Sequence, residues 1–176
     1  MYPFFRMAKE LIKYRNAPDL GLLDTHVSHH ICWPWDLDFW LELNNGRTLM
    51  IYDLGRIPMA RRVGMFEPLR KNRWGLTVAG SSVRYRRRVR MFQKVEMHSK
   101  CIGWDDRFIY LVQSMWRAGE CTSQALYRTA VTDKNGIVAP ARLLQSLNQH
   151  QDPPELPEWV RNWITAEDSR PWPPAR

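Results

Sequence analysis

Four long runs with strand character, spread over residues 76–132, constrain the fold of this chain more than any other feature. They are rich in β-branched and aromatic residues, and the turn signals WDDR, RAGE and DKNG lie between or after them. Consecutive strands that are joined by short turns form an antiparallel sheet. Since an apolar helical segment precedes them, the sequence predicts an α+β fold. The runs are LTVAGSSVRYR, VRMFQKVEMHSKCIGW, FIYLVQSMWR and CTSQALYRTAVT.

The helix that precedes the sheet is predicted to begin at Asn44 or Asn45, because an asparagine side chain can cap a helix. It continues through GRTLMIYDLGRIPMARRVGM, where apolar residues on several sides indicate burial. Pro58 should kink or end this helix, and Gly64 suits a second stop. The spacing also predicts an amphipathic helix over 4–15, a strand over 24–33 and a helix around 140–147.

The domain organisation follows from length and composition. A chain of 176 residues with 44% hydrophobic residues and nine Trp is expected to fold, and residues 1–150 are predicted to form one domain. Residues 151–176 are rich in Pro and Trp, with Trp159 and Trp163 four apart in one short helical patch. We expect a docked appendage followed by a loose tail.

Charge and cysteine content limit the location and the partners. No apolar run approaches the roughly 18 residues that span a bilayer, and the N-terminal stretch is too charged for a signal peptide. Three cysteines without a CxxC pair fit a reducing cytoplasm and imply no metal site. A net charge of +8 favours an anionic partner, whether nucleic acid, an acidic lipid surface or a phosphorylated small molecule.

Carboxylates are the candidates for chemistry, because the chain has no GxSxG elbow, no P-loop and no HExxH spacing. Asp36 and Asp38 would point the same way in extended backbone, and Glu42 follows where a helix begins. The amides of Asn45 and Gly46 would then polarise a carbonyl oxygen.

A structural explanation of the same residues stays open. Asp-x-Asp before a helix is often only turn and capping chemistry. Asp53 and Arg56, three residues apart, are more simply a helix ion pair than a catalytic pair.

The basic stretch RYRRRVR, residues 84–90, has three possible roles. It can be a solvated edge that discourages aggregation, or a docking surface for the phosphates of a ligand, which Arg84, Arg86 and Arg88 would bind. The interleaved Tyr85 and Phe92 also suit single-stranded nucleic acid. Nucleic acid is the less favoured partner, because no RNP, KH or helix-turn-helix signature accompanies the stretch.

Two segments, WPWDLDFWLELNNGRTLMIYDLGR and RYRRRVRMFQKVEMHSKCIGWDDRFIYLVQSMWRAGE, resemble the hotdog-fold thioesterases of the 4-hydroxybenzoyl-CoA thioesterase-like family. The resemblance covers roughly residues 24–148. It implies a long central helix that a curved antiparallel sheet wraps. It also implies a homodimer, or a dimer of such dimers, with the sheets joined edge to edge and each site near the subunit boundary.

Carried over residue by residue, the resemblance assigns Asp38 as the acid and Asp36 as a structural residue. Asn44 and Asn45 match the Asn-Asn pair of the family. Many relatives have Gly-His-x-Asn-Asn, so Glu42 stands in the His position. Glu42 therefore replaces or assists the acid, or the site has drifted.

These observations predict a thioesterase that hydrolyses an acyl-CoA or acyl-carrier thioester without cofactor or metal, with the acyl chain along the central helix. Asp38 would be nucleophile or general base, Glu42 would assist, and Asn44 or Asn45 would orient water or the carboxylate. The amides of Asn45 and Gly46 would hold the oxyanion. The alternative is a non-catalytic hotdog protein that binds acyl thioesters or a protein partner.

Overall fold

The predicted runs form one antiparallel sheet in the computed structural model, which describes residues 2–174. The hydrogen-bonded order is β1-β3-β4-β5-β2, and a short β6 pairs with the end of β5. Burial alternates along β3, as expected where one face of a sheet covers a core. The strands are β1 Thr25–Ile31, β2 Gly75–Tyr85, β3 Lys94–Trp104, β4 Ile109–Arg117, β5 Glu120–Asp133 and β6 Gly136–Val138.

Five helices accompany the sheet in the described part of the chain. The sheet curves around α2, whose residues are buried on several sides, so the predicted buried helix and the α+β class are confirmed. Among residues 2–174, no helix is both long and apolar enough to cross a bilayer. The helices are α1 Phe4–Lys13, α2 Asn45–Arg62, α3 Phe66–Asn72, α4 Pro140–Ser146 and α5 Glu158–Asp168.

Close packing of α2 against β3 depends on Gly55. A Cβ at this position would lie 2.6 Å from the Met97 Sδ and 2.7 Å from the Ser99 Oγ, which is closer than real carbon contacts. Ser99 is fixed, because its Oγ accepts a hydrogen bond from Gln113 Nε2 at 2.7 Å. A side chain at residue 55 would therefore push the helix off the sheet.

Three local features of the fold were not predicted or were left open by the sequence. Pro58 does not end α2, which continues to Arg62 before Gly64 at φ 85°. The segment 66–72, for which no element was predicted, forms α3 and ends at Arg73 in the left-handed conformation. β6 was not predicted, since three residues are too short for a periodic signal.

The C-terminal segment packs on the outer face of the sheet. Val160 of α5 is fully buried and clusters with Tyr110 and Leu126. Arg128 reaches from β5 to the ring of Trp163, with the guanidinium carbon 5.6 Å from the ring centroid. The last two residues of the predicted loose tail lie outside the described residues.

The three cysteines are free thiols in the described structure. Cys32 and Cys101 are buried and Cys121 is half-buried. Burial raises the pKa of the Cys32 and Cys101 thiols to about 11. They therefore stay protonated at neutral pH.

Candidate functional site

The start of α2 is built by Asn44, as the sequence predicted. Its backbone is extended, with φ −60° and ψ 141°, and its Oδ1 accepts the N–H groups of Gly46 at 2.9 Å and Arg47 at 3.1 Å. This is the hydrogen bonding of a helix cap. The amide of Gly46, which was expected to face a substrate carbonyl, is thus occupied by Asn44 in this structure.

Asp38 and Glu42 close a loop just before α2. The Asp38 Oδ1 accepts the N–H of Trp40 at 2.8 Å and that of Glu42 at 3.4 Å. The Asp38 N–H in turn donates to the Glu42 carbonyl at 2.8 Å. Between them Leu41 has φ 59°, which a non-glycine residue adopts only when its surroundings hold it there. Half-buried Asp38 therefore organises the loop besides lying beside the helix end.

Asp36 and Asp38 do not share one extended strand, so the premise on which both carboxylates would point the same way does not hold. Asp36 is in a 3₁₀ turn over Pro34–Asp36 and is 2% exposed. Its Oδ2 accepts hydrogen bonds from Arg6 Nη1 at 2.7 Å and from the Trp33 N–H at 3.0 Å. This ion pair joins α1 to the loop, which agrees with the structural role that the resemblance implied.

The basic stretch 84–90 passes the start of α2. The Tyr85 hydroxyl donates to the Asn45 carbonyl at 3.4 Å, and an antiparallel bridge joins Glu42 to Arg90. Arg88 Nε lies 3.1 Å from the Glu42 Oε2. The fold thus brings Arg88 into contact with a predicted site residue. Arg84 and Arg86 are exposed at the end of β2.

A second polar cluster lies along α2 and forms an ion pair that the sequence did predict. Asp53 accepts a hydrogen bond from Arg56, and Tyr2 also bonds to this carboxylate. Burial raises the pKa of Asp53, and the Arg56 guanidinium partly opposes this rise. Arg56 donates to Gln113 Oε1 at 3.1 Å and lies over the Tyr127 ring at 4.1 Å.

The sheet partners of Arg56 were missed by sequence reasoning. The i, i+3 spacing reveals the Asp53 pair, but Gln113 and Tyr127 are more than 50 residues away along the chain. No local pattern connects them.

An apolar slot lies between the second half of α2 and the sheet. It is narrow, with a cavity of about 20 Å³, and Arg56 lies at its polar side. Cys101 contributes a buried thiol to its wall. The apolar lining includes Leu22, Met59, Met65, Leu76 and Leu111.

Comparison with known proteins identifies the family. Residues 32–164 match the thioesterase-like superfamily. The chain is 29% identical to Protein THEM6 of Xenopus laevis over an alignment of 170 residues. The alignment covers 94% of this chain and 80% of that protein. It is 30% identical over 146 residues to Protein THEM6 of Drosophila melanogaster, covering 81% of this chain and 74% of the relative.

Solved structures share the fold at low sequence identity. The probable thioesterase YbaW of Escherichia coli superposes with a TM-score of 0.66 at 17% identity, over 70% of this chain and 96% of YbaW. DHNA-CoA thioesterase of Staphylococcus aureus superposes with a TM-score of 0.61 at 11% identity, over 82% of this chain and 91% of that enzyme. Another Staphylococcus aureus protein, determined in complex with CoA, gives 0.60 at 9% identity, over 81% and 95%. The chain has the hotdog fold of these neighbours and belongs to the thioesterase-like superfamily.

Proposed function

We propose that this protein hydrolyses an acyl-CoA thioester at the N-terminus of α2. The observation that carries the proposal is the convergence of Asp38, Glu42 and Arg88 at this helix end, next to exposed Asn45. Membership of the thioesterase-like superfamily supports a thioester as substrate. One structural neighbour was determined with CoA, which supports CoA as the carrier.

In the proposed reaction, Asp38 is the base or nucleophile. Its Oδ1 holds the loop, so Oδ2 is the oxygen that would take a proton from water as the water attacks the thioester carbonyl. The C–S bond then breaks, and the proton passes to the departing CoA sulfur. Glu42 assists through its position beside Asp38, and the contact with Arg88 holds its carboxylate in place.

The positive end of α2 stabilises the oxyanion in this proposal. The N–H of Asn45 belongs to the first turn of the helix, where free amides and the helix dipole favour negative charge. The Gly46 N–H can also stabilise the oxyanion only if the substrate's carbonyl oxygen replaces Asn44 Oδ1 as its acceptor. We therefore assign the oxyanion mainly to Asn45, and orientation of the helix end to Asn44.

Substrate recognition follows from the surroundings of the helix end. The exposed side chains of Arg84 and Arg86, together with Arg88, suit the phosphates of CoA. The acyl chain would enter the apolar slot along α2, which must widen to admit it.

A binding role without turnover is the second candidate. It is favoured by Glu42, which stands where many relatives carry His and is already paired with Arg88. Such a protein would hold the acyl thioester at the same helix end.

Thiol release from short, medium, long and aryl acyl-CoAs separates the two functions. Asp38→Asn is the informative variant, because an amide oxygen can still accept the Trp40 and Glu42 N–H groups while losing the base. We expect turnover to fall at least about a hundredfold in folded Asp38→Asn. Glu42→Gln is the matched variant, and its turnover should fall less.

Two results would contradict this assignment. Near-normal turnover in Asp38→Asn with collapse in Glu42→Gln would transfer the acid role to Glu42. Tight binding of acyl-CoA without release of thiol from any CoA or carrier thioester would establish the binding role instead.

A further inference from the structure

A rigid apolar tip projects from the loop before α2. Phe39 is 92% exposed, Trp40 67% and Leu41 71%, and we call these three residues the apolar tip. The contacts of Asp38 with the Trp40 and Glu42 amides hold its backbone. The chain therefore keeps three large apolar side chains in water on a fixed support.

Further exposed aromatic residues continue this surface. Trp35, 62% exposed, stacks on Trp33 with ring centroids 5.4 Å apart, and Phe92, 58% exposed, meets Trp33 edge-on at 6.0 Å. Phe5 is 96% exposed and lines the same open groove as Trp33. We call Phe5, Trp33, Trp35 and Phe92, together with the apolar tip, the aromatic face.

The two parts of the aromatic face are connected. The backbone bridge between Glu42 and Arg90 places the loop that carries the tip beside the segment that leads to Phe92. Exposed apolar surface of this extent marks a binding surface rather than ordinary scatter.

Cations border the aromatic face. Lys94 is exposed and lines the groove with Phe5 and Trp33, and Arg90 is exposed next to Met91 and Phe92. Two neighbouring acids already have a cationic partner, since Asp36 is paired with Arg6 and Glu42 with Arg88. Asp38 accepts hydrogen bonds from the Trp40 and Glu42 amides.

We propose that the aromatic face docks on the surface of an anionic phospholipid bilayer. Aromatic side chains enter the boundary between headgroups and acyl chains, while Lys and Arg at their border contact acidic headgroups. The proposal concerns where the protein resides and is independent of the proposed hydrolysis.

Two other occupants fit the charges less well. A second copy joined through the same face would bring the exposed Lys94 and Arg90 of both copies into one interface, and like charges close together there are costly. Nucleic acid favours a basic groove with stacking platforms, whereas the apolar tip protrudes and includes Leu41.

Co-sedimentation of the full chain with vesicles tests the docking. We expect the protein to bind vesicles of phosphatidylcholine with phosphatidylserine at least about tenfold more tightly than phosphatidylcholine alone. The double variant Phe39→Ser/Trp40→Ser retains Asp38 and should bind at least about tenfold more weakly to the anionic vesicles. Lys94→Glu should weaken binding to the anionic vesicles about fivefold or more.

Matched controls change the same residue types elsewhere. Trp172→Ser removes a tryptophan that is 88% exposed in the C-terminal segment, and Lys134→Glu reverses an exposed charge in the β5–β6 turn. Both should bind like the wild type.

Three results would overturn the proposal. The first is the absence of vesicle binding, and the second is equal binding of neutral and anionic vesicles. The third is a tip variant whose mass by light scattering falls while its vesicle binding is unchanged, since a second copy would then cover the tip. Thiol release is measured separately, so a failure of docking is distinguishable from a failure of hydrolysis.

Discussion

At the scale of single residues, two buried histidines make stability depend on pH. His26 is 0% and His30 is 4% exposed. Burial lowers the pKa of His26 to about 4, helped by Arg62 and Lys13, and lowers the pKa of His30 to about 3, helped mainly by Arg6 and Lys9. The folded protein thus keeps both imidazoles neutral, whereas the unfolded chain protonates them below a pKa of about 6.5.

The direction in which stability changes with pH follows from proton binding. Below about pH 6.5 the unfolded state binds more protons, so the free energy of unfolding falls as the pH falls, by up to about 1.4 kcal/mol per histidine and pH unit. We expect urea unfolding to show a loss of at least about 2 kcal/mol between about pH 7 and pH 5. His30→Gln should flatten this dependence, and His29→Gln, at an exposed position, should not. A stability that is constant over this range would contradict the prediction.

At the scale of elements, the cap of α2 separates a structural role of Asn44 from a catalytic one. Asn44→Ala removes the acceptor for the Gly46 and Arg47 amides, so it should lower the free energy of unfolding by about 1 kcal/mol. Asn44→Asp retains an acceptor and should stay within a few tenths of a kcal/mol of the wild type. Urea unfolding measures both. If Asn44→Ala abolishes turnover at unchanged stability, Asn44 acts in the reaction instead.

The helices and strands also show which features of the fold were predictable from sequence. The start of α2 and the four long strands carry local signals: Asn44 as cap, and alternating residues between short turns. Pro58 was a possible end of the helix because proline is unfavourable in most helices, yet here it is buried within one. The short α3 lacked enough residues for a periodic pattern.

The candidate site was less predictable than the fold, because its contacts are made across the chain. Asp36 was expected in extended backbone with Asp38, but Arg6, which is 30 residues earlier, holds it in a turn. The contact of Arg88 with Glu42 likewise joins segments that local spacing does not connect. By contrast, Asp53 and Arg56 lie one helical turn apart and were predictable as a pair.

At the scale of the whole molecule, β2 is one of the two edge strands of the sheet, opposite β1. It ends the strand order, and Leu76 and Val78 on it are 39% and 45% exposed. An exposed apolar edge strand is a template for pairing with another chain. We therefore expect a homodimer in which two copies of β2 pair edge to edge.

Light scattering tests this assembly. The wild type should have about twice the chain mass of 20.9 kDa. Val78→Glu should be a monomer, because it places a repelling charge on the pairing edge. Trp159→Glu, on exposed surface of α5, should remain dimeric. A wild-type monomer would contradict edge pairing.

The buried thiols have a consequence for the proposed reaction. A thioester transfers its acyl group to any thiolate that it meets, and Cys101 lines the slot assigned to the acyl chain. With a pKa of about 11, this thiol is ionised in only about one molecule in ten thousand at pH 7. Under the proposed function, the acyl chain can lie against this sulfur, and a thioester that enters the slot would rarely meet a thiolate there.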